Sequence, residues 1–246
     1  MAYIFPDIEK RVYSKTFLKD VHVKFCFKKI KTFPDLSTFL GEEFQLSGDN
    51  IIGNEHVVTV NSNNGLIKFD FADEYCCVRM RYPAYCSFEN LKPWLSKLFK
   101  YLLLLNVSSL DSLSICKYNE LGYEIKGDNC IKLVHLLEPV FSDELRSRHS
   151  EQIEEAEANF EMVSRWEVLE KFSEDNPLHS SLFCEFGYNR KKASINTGVL
   201  TLRLTIEVAE SIDVQSIDNV LVYLDKILFN SFYWCINKNF IKKMEK

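Results

Sequence analysis

The sequence predicts an α+β protein built on antiparallel sheets, in two similar halves, each followed by a long helix. Three observations predict it: runs alternating apolar and polar residues at a period of two, an Asn-Gly turn between two such runs, and two later stretches with apolar residues at three- and four-residue steps.

The first alternating run has Val21, Val23, Phe25 and Phe27 against His22, Lys24, Cys26 and Lys28, the pattern of a strand with one buried and one wet face. A loop with Pro34, a short helical piece at Leu36 to Leu40 and a surface connection at Gly48 to Asn54 follow. Val57 to Val60 and Leu66 to Phe71 flank Asn61-Ser62-Asn63-Asn64-Gly65, which supplies the positive φ that a tight hairpin needs. Tyr75 to Tyr82 alternates again and completes a meander. Ser87 is placed to cap a helix with Leu91, Leu95, Leu98, Leu102 and Leu105 along one stripe, and Pro93 is tolerated in its opening turns. Strands at Ser112 to Ile125 and Ile131 to Leu137 return the chain to Pro139.

The domain organisation expected is an N-terminal half over 1–141, an acidic linker or exposed helix over 142–158, and a C-terminal half over 159–246. Asp143 to Asp175 holds eleven acids against four bases, so the net charge of −5 is concentrated there. In the C-terminal half, Phe160 to Val168, Leu182 to Tyr188 and Val199 to Val208 alternate as strands. Asp213 or Ser216 then caps a helix carrying Ile217, Val220, Leu221, Leu224, Ile227, Leu228 and Phe232 and continuing to about Phe240. No residue-level repeat joins the halves.

Eight glycines leave little material for a phosphate-binding loop, and no cofactor is called for. The first ten residues lack a basic segment followed by an apolar run, and the most apolar stretch, Trp94 to Val107, is interrupted by Lys97 and Lys100. Neither a leader nor a membrane anchor is expected. The eight cysteines show no Cys-x-x-Cys spacing and sit mostly in apolar runs, so they read as buried free thiols in a reducing, cytoplasmic setting.

Three segments carry a likeness: Leu18-Lys19-Asp20-Val21-His22-Val23-Lys24-Phe25; Tyr82-Pro83-Ala84-Tyr85-Cys86-Ser87-Phe88-Glu89 leading through a helix to Ile115-Cys116-Lys117-Tyr118-Asn119-Glu120-Leu121; and Leu221-Val222-Tyr223-Leu224-Asp225-Lys226-Ile227-Leu228-Phe229-Asn230-Ser231-Phe232 with its basic tail. In their order and spacing the chain resembles a sporadically distributed family of uncharacterised bacterial proteins of about this chain's length. It departs from them at Lys117, where the family tends to show an arginine before the tyrosine. The resemblance implies a bacterial cytosolic origin and no known activity or cofactor. The family's patchy occurrence associates it with mobile elements, and so with defence or toxin neutralisation.

Candidate chemistry is sparse. His22 and Cys26 share a strand face, but the five histidines are scattered and no ligand pair has close motif spacing, so no metal site is expected. Cys86, just before the Ser87 helix start, is the least bland thiol, read as a buried or capping-region cysteine. Glu124 and Lys126 with Asp70 or Asp111 supply the residue types of a metal-dependent nuclease, in a pattern that is cheap among 35 acids. Tyr75, Arg79 and Arg81 share a face with Lys68 on a neighbouring strand, a mixture able to stack bases and hold phosphate; the bland reading is a solvated face with charge pairs. On the last helix Tyr223, Phe229, Tyr233 and Trp234 extend the apolar surface beyond one stripe, which suits either a partner surface or a helix buried between layers of its own chain. With no catalytic motif, the sequence favours a non-enzymatic protein-binding or regulatory protein that contacts another protein or its own copy. The alternative is a nucleic-acid-binding or nuclease-type enzyme.

Overall fold

The computed structural model describes residues 5, 8–9, 17–44, 51–62, 64–124, 137–147, 162–169, 179–190 and 197–244. Period-two alternation gives each strand an apolar and a polar face, and among the described residues nine strands are gathered into one antiparallel sheet. They are β1 (Leu18–Cys26), β2 (Ile51–Gly53), β3 (Val57–Asn61), β4 (Ile67–Ala72), β5 (Tyr75–Arg81), β7 (Ser112–Glu124), β8 (Met162–Leu169), β9 (Ser180–Arg190) and β10 (Thr197–Val208). Their spatial order is β2-β3-β4-β5-β1-β7-β10-β9-β8. The short β6 (Ser109–Leu110) and β11 (Ile212–Asp213) pair separately. The helices are α1 (Ser37–Phe44), α2 (Phe88–Leu104), α3 (Asp143–Ser147), α4 (Ile217–Cys235) and α5 (Lys238–Met244).

The sequence suggests separate sheets, and the strands instead form a single one. The reason lies in β7, long enough to pair with β1 along one edge and with the whole of β10 along the other, so it leaves no seam between the halves. Smaller differences follow from local chemistry. The connection at Gly48 to Asn54 contains β2, which adds to β3 through the register Ile51 to Val60. The last helix stops at Cys235: Ile236 is extended, the Asn237 N–H donates to the Val140 carbonyl at 2.8 Å, and Asn237 Oδ1 accepts from the Asn239 N–H at 2.9 Å to start α5. Most of 142–158 and of the expected strand Ile131 to Leu137 lies outside the described residues.

The predicted turn is present, and Ser87 stands at the start of α2 as expected, whereas Asp213 caps the short 3-10 turn Val214–Ser216 ahead of α4 by accepting from the Gln215 N–H at 2.8 Å. Gly65 has φ 66° and its N–H donates to the Ser62 carbonyl at 2.8 Å. Asn90 Oδ1 accepts from the Ser87 N–H at 3.0 Å at the start of α2. Asn106, with φ 54°, ends that helix in the left-handed conformation that asparagine tolerates, and Val107 N–H reaches back to the Leu102 carbonyl at 2.9 Å.

Both long helices cover the same face of the sheet. Phe25 of β1 stacks on Phe99 of α2 at 5.7 Å between centroids, while Lys117, on the β7 face shared with the buried Leu113 and Ile115, meets Asp225 of α4. Beneath α2 the core is aromatic: Phe71 contacts Tyr101 at 4.8 Å and Phe44 contacts Phe69 at 4.8 Å. The buried Tyr101 hydroxyl donates to the Ala72 carbonyl at 2.8 Å, which satisfies a group that would be costly to leave unpaired. Beneath α4 the core is mainly aliphatic, from Leu182, Leu200, Leu202, Leu204 and Ile206 to Val220, Leu224 and Leu228. Among the described residues, no helix is long and apolar enough to cross a membrane.

Candidate recognition face

Covering one face with helices leaves the other face to polar side chains. Register places them in rows across the strands: Lys68, Arg79, His22, Cys116 and Thr205 in one row, and Arg81, Asp20, Tyr118, Arg203 and Glu185 in the next. Together these strands hold an open recess of about 580 Å³, lined among others by Asp20, His22, Asp70, Cys77, Arg79 and Arg203.

Every cation that lines the recess has an acid beside it. Arg79 Nη2 lies 2.5 Å from Asp20 Oδ2, Lys68 Nζ lies 3.1 Å from Asp70 Oδ1, and Arg203 Nη1 lies 3.4 Å from Glu185 Oε2. Lys68 and Arg79 are direct cross-strand neighbours, an arrangement of like charges that Asp70 and Asp20 offset. Asp70 also accepts from Thr59 Oγ1 at 2.5 Å and from the Cys77 thiol at 3.6 Å. The aromatic rings are capped by cations: Lys24 lies over Tyr75 at 4.5 Å and Arg203 over Tyr118 at 5.4 Å.

The histidine and the thiols of the recess are shifted toward their uncharged forms. Burial, and then the Arg79 charge, lowers the pKa of His22 from its ordinary value. Burial, reinforced by the Asp70 carboxylate, pushes the Cys77 thiol up to about 12, and burial also raises Cys116. A thiol in that state has very little thiolate at neutral pH. Among the described residues no three His, Cys, Asp or Glu side chains converge to hold a metal ion.

The structure brings together Lys68, Tyr75, Arg79 and Arg81 on one sheet face, as strand alternation predicts, with Lys68 directly opposite Arg79. Arg81 is exposed and lies in register with Asp20. On the last helix Phe229 is buried, and Tyr223, Tyr233 and Trp234 are half-buried against the core. The Trp234 ring packs edge-on against Phe5 at 5.4 Å. Tyr233 and Trp234 also line a second recess of about 440 Å³ with Asp143, Glu144 and Lys238. Cys86 is exposed, and its thiol donates to the Pro83 carbonyl at 3.2 Å. His22 and Cys26 sit four residues apart on β1, about 13 Å at the usual strand rise. Asp70 lies in the recess and Asp111 at the β6–β7 junction, while Lys126 and the Glu124 side chain lie outside the described residues.

Sequence reasoning missed Asp20, Tyr118 and Arg203 as members of this face. Alternation marks each as a polar position on its own strand, but only the β5-β1-β7-β10 order makes them neighbours. No protein-family model matches the chain, and no curated protein matches it.

Proposed function

We propose that the chain is a non-enzymatic binding or regulatory protein whose open sheet face receives a segment of another protein. The observation that carries this reading is the pairing of charge in the recess: Arg79 with Asp20, Lys68 with Asp70, Arg203 with Glu185. A face carrying both signs in pairs complements a partner segment of mixed charge and offers a uniformly charged one little net attraction. A histidine and thiols kept uncharged support contact rather than nucleophilic or acid–base chemistry. Tyr233 and Trp234 would add a second point of contact at the end of α4.

The arrangement into two similar halves, each followed by a long helix, belongs to the same proposal. In its favour, β3-β4-β5-β1 on one side and β7-β10-β9-β8 on the other run in mirrored order, with α2 following β5 and α4 following β10. The recess then spans the junction of the halves. The bacterial cytoplasmic setting and a role in defence or toxin neutralisation rest on the family resemblance.

The second reading, a nucleic-acid-binding or nuclease-type enzyme, is favoured by one observation, that Lys68, Arg79, Arg203 and Tyr118 line the same recess. Against it, the cations carry acids and the rings of Tyr75 and Tyr118 are already covered. Mass photometry of the purified chain, alone and co-expressed with the products of neighbouring genes, separates the two. A discrete complex with one such product is expected. A strict monomer that captures none of them, or salt-sensitive binding and cleavage of labelled DNA or RNA with magnesium or manganese, would overturn the proposal.

A further inference from the structure

Among the described residues, the helix-covered face contains one ion pair where alternation calls for apolar residues. Lys117 occupies a core-facing position on β7 between the buried Val21 of β1 and Leu204 of β10. Its Nζ lies 2.6 Å from Asp225 Oδ1 of α4, and the two side chains are 15% and 1% exposed. The Lys117 ammonium also lies 5.9 Å from the ring centroid of Tyr85, a buried residue of the loop before α2. One residue each from the loop before α2, from β7 and from α4 therefore meet at a single buried point. Although burial opposes its charge, contact with Tyr85 and Asp225 holds the Lys117 pKa above the ordinary lysine value.

A buried pair of this kind is a poor source of stability, because desolvating two charges offsets most of their attraction. Its established use is to select one packing among several of similar energy. That selection is needed here. Ile217, Val220, Leu221, Leu224, Ile227, Leu228 and Phe229 are all buried, so apolar surface runs round much of α4 and does not by itself define which side faces the sheet. An acid at one position on that surface and a base at one position on β7 do define it.

We propose that Lys117 and Asp225, packed against Tyr85, form a latch that fixes the rotational seating of α4 on the sheet. Tyr118, the next residue on β7, points the opposite way into the recess, so the latch and the recess share one strand.

The test is a set of four variants, Lys117→Met, Asp225→Leu, the double replacement and Lys117→Arg, read by thermal melting and by the native-state labelling rate of Cys235. That thiol is fully buried at the end of α4, 3.8 Å from Cys184, and reports whether the helix is seated. Each single variant removes one member of the buried pair and melts well below the parent. The double variant recovers the parent melting temperature to within about 5 °C, yet labels Cys235 at least about tenfold faster, because the helix no longer has one preferred seating. Lys117→Arg keeps the charge and both parent behaviours. Since the double and Lys117→Arg variants retain a balanced core, the test survives a failure of the single variants to fold. The proposal is overturned if the double variant shows parent-like Cys235 protection, if it melts as low as the singles, or if Lys117→Met melts and labels as the parent does.

Discussion

The two faces of the central sheet use charge in opposite ways. On the open face Lys68, Arg79 and Arg203 are about half exposed and each has an acid within 3.4 Å, so water shares the work of solvating them. On the covered face Lys117 and Asp225 are nearly dry, and Lys117 meets both Asp225 and Tyr85. An exposed pair is worth about 0 to 1 kcal/mol and exchanges readily for contacts with a partner, whereas a buried one constrains packing and cannot be released. The same sheet is thus adaptable on one side and specified on the other.

Breaking the covered face should have the largest effect. Phe71 is fully buried and packs on Tyr101, Phe69 and Phe44, so Phe71→Ala is expected to cost about 4 kcal/mol in urea unfolding. Alkaline pH should come next. Cys76, Cys77, Cys116 and Cys235 all have raised thiol pKa values, so the folded chain keeps protons that the unfolded chain releases above about pH 8.5. Stability should be fully present below that value and fall as pH rises, with the Cys77 contribution exhausted near pH 12. A melting temperature that stays flat between pH 8.5 and 10.5 would contradict this.

A smaller effect of the opposite sense belongs to the open face. The His22 pKa is lowered, so the unfolded chain takes up a proton first as pH falls. Stability contributed by neutral His22 should be intact above about pH 6.5 and decline below it, and His22→Asn should flatten that part of the pH profile. Smallest of all, Arg203→Ala should change stability by less than about 1 kcal/mol, because its side chain and that of its partner Glu185 are 52% and 26% exposed to water. A loss comparable to that of Phe71→Ala would erase the distinction between the faces.

Much of the fold was legible because alternation is a local signal. Val21 to Phe27, Leu66 to Phe71, Tyr75 to Tyr82 and Val199 to Val208 announce both their strands and which residues face water, and Asn64-Gly65 announces its hairpin. Partner choice between distant strands was not legible. That β7 would join both β1 and β10, turning two expected sheets into one, depends on pairings whose energy is spread over many residues. Half of the candidate face was therefore visible, as Lys68 with Tyr75, Arg79 and Arg81, while Asp20, Tyr118 and Arg203 were not joined to it. The buried latch did leave a trace: Lys117 follows Leu113 and Ile115 on an apolar face, and Asp225 interrupts the stripe of Leu221, Leu224 and Leu228. Charge at an apolar position on two separate elements is the pattern that could have linked them.

The proposed binding of another protein by the open face depends on its paired, releasable charges. Its most direct measurement is capture by a face-reversed chain, carrying Arg79→Glu and Arg203→Glu, of whichever neighbouring-gene product the parent chain binds in mass photometry. Loss of the complex with a melting temperature within about 5 °C of the parent is the expected result. Undiminished capture by the reversed chain would contradict that dependence.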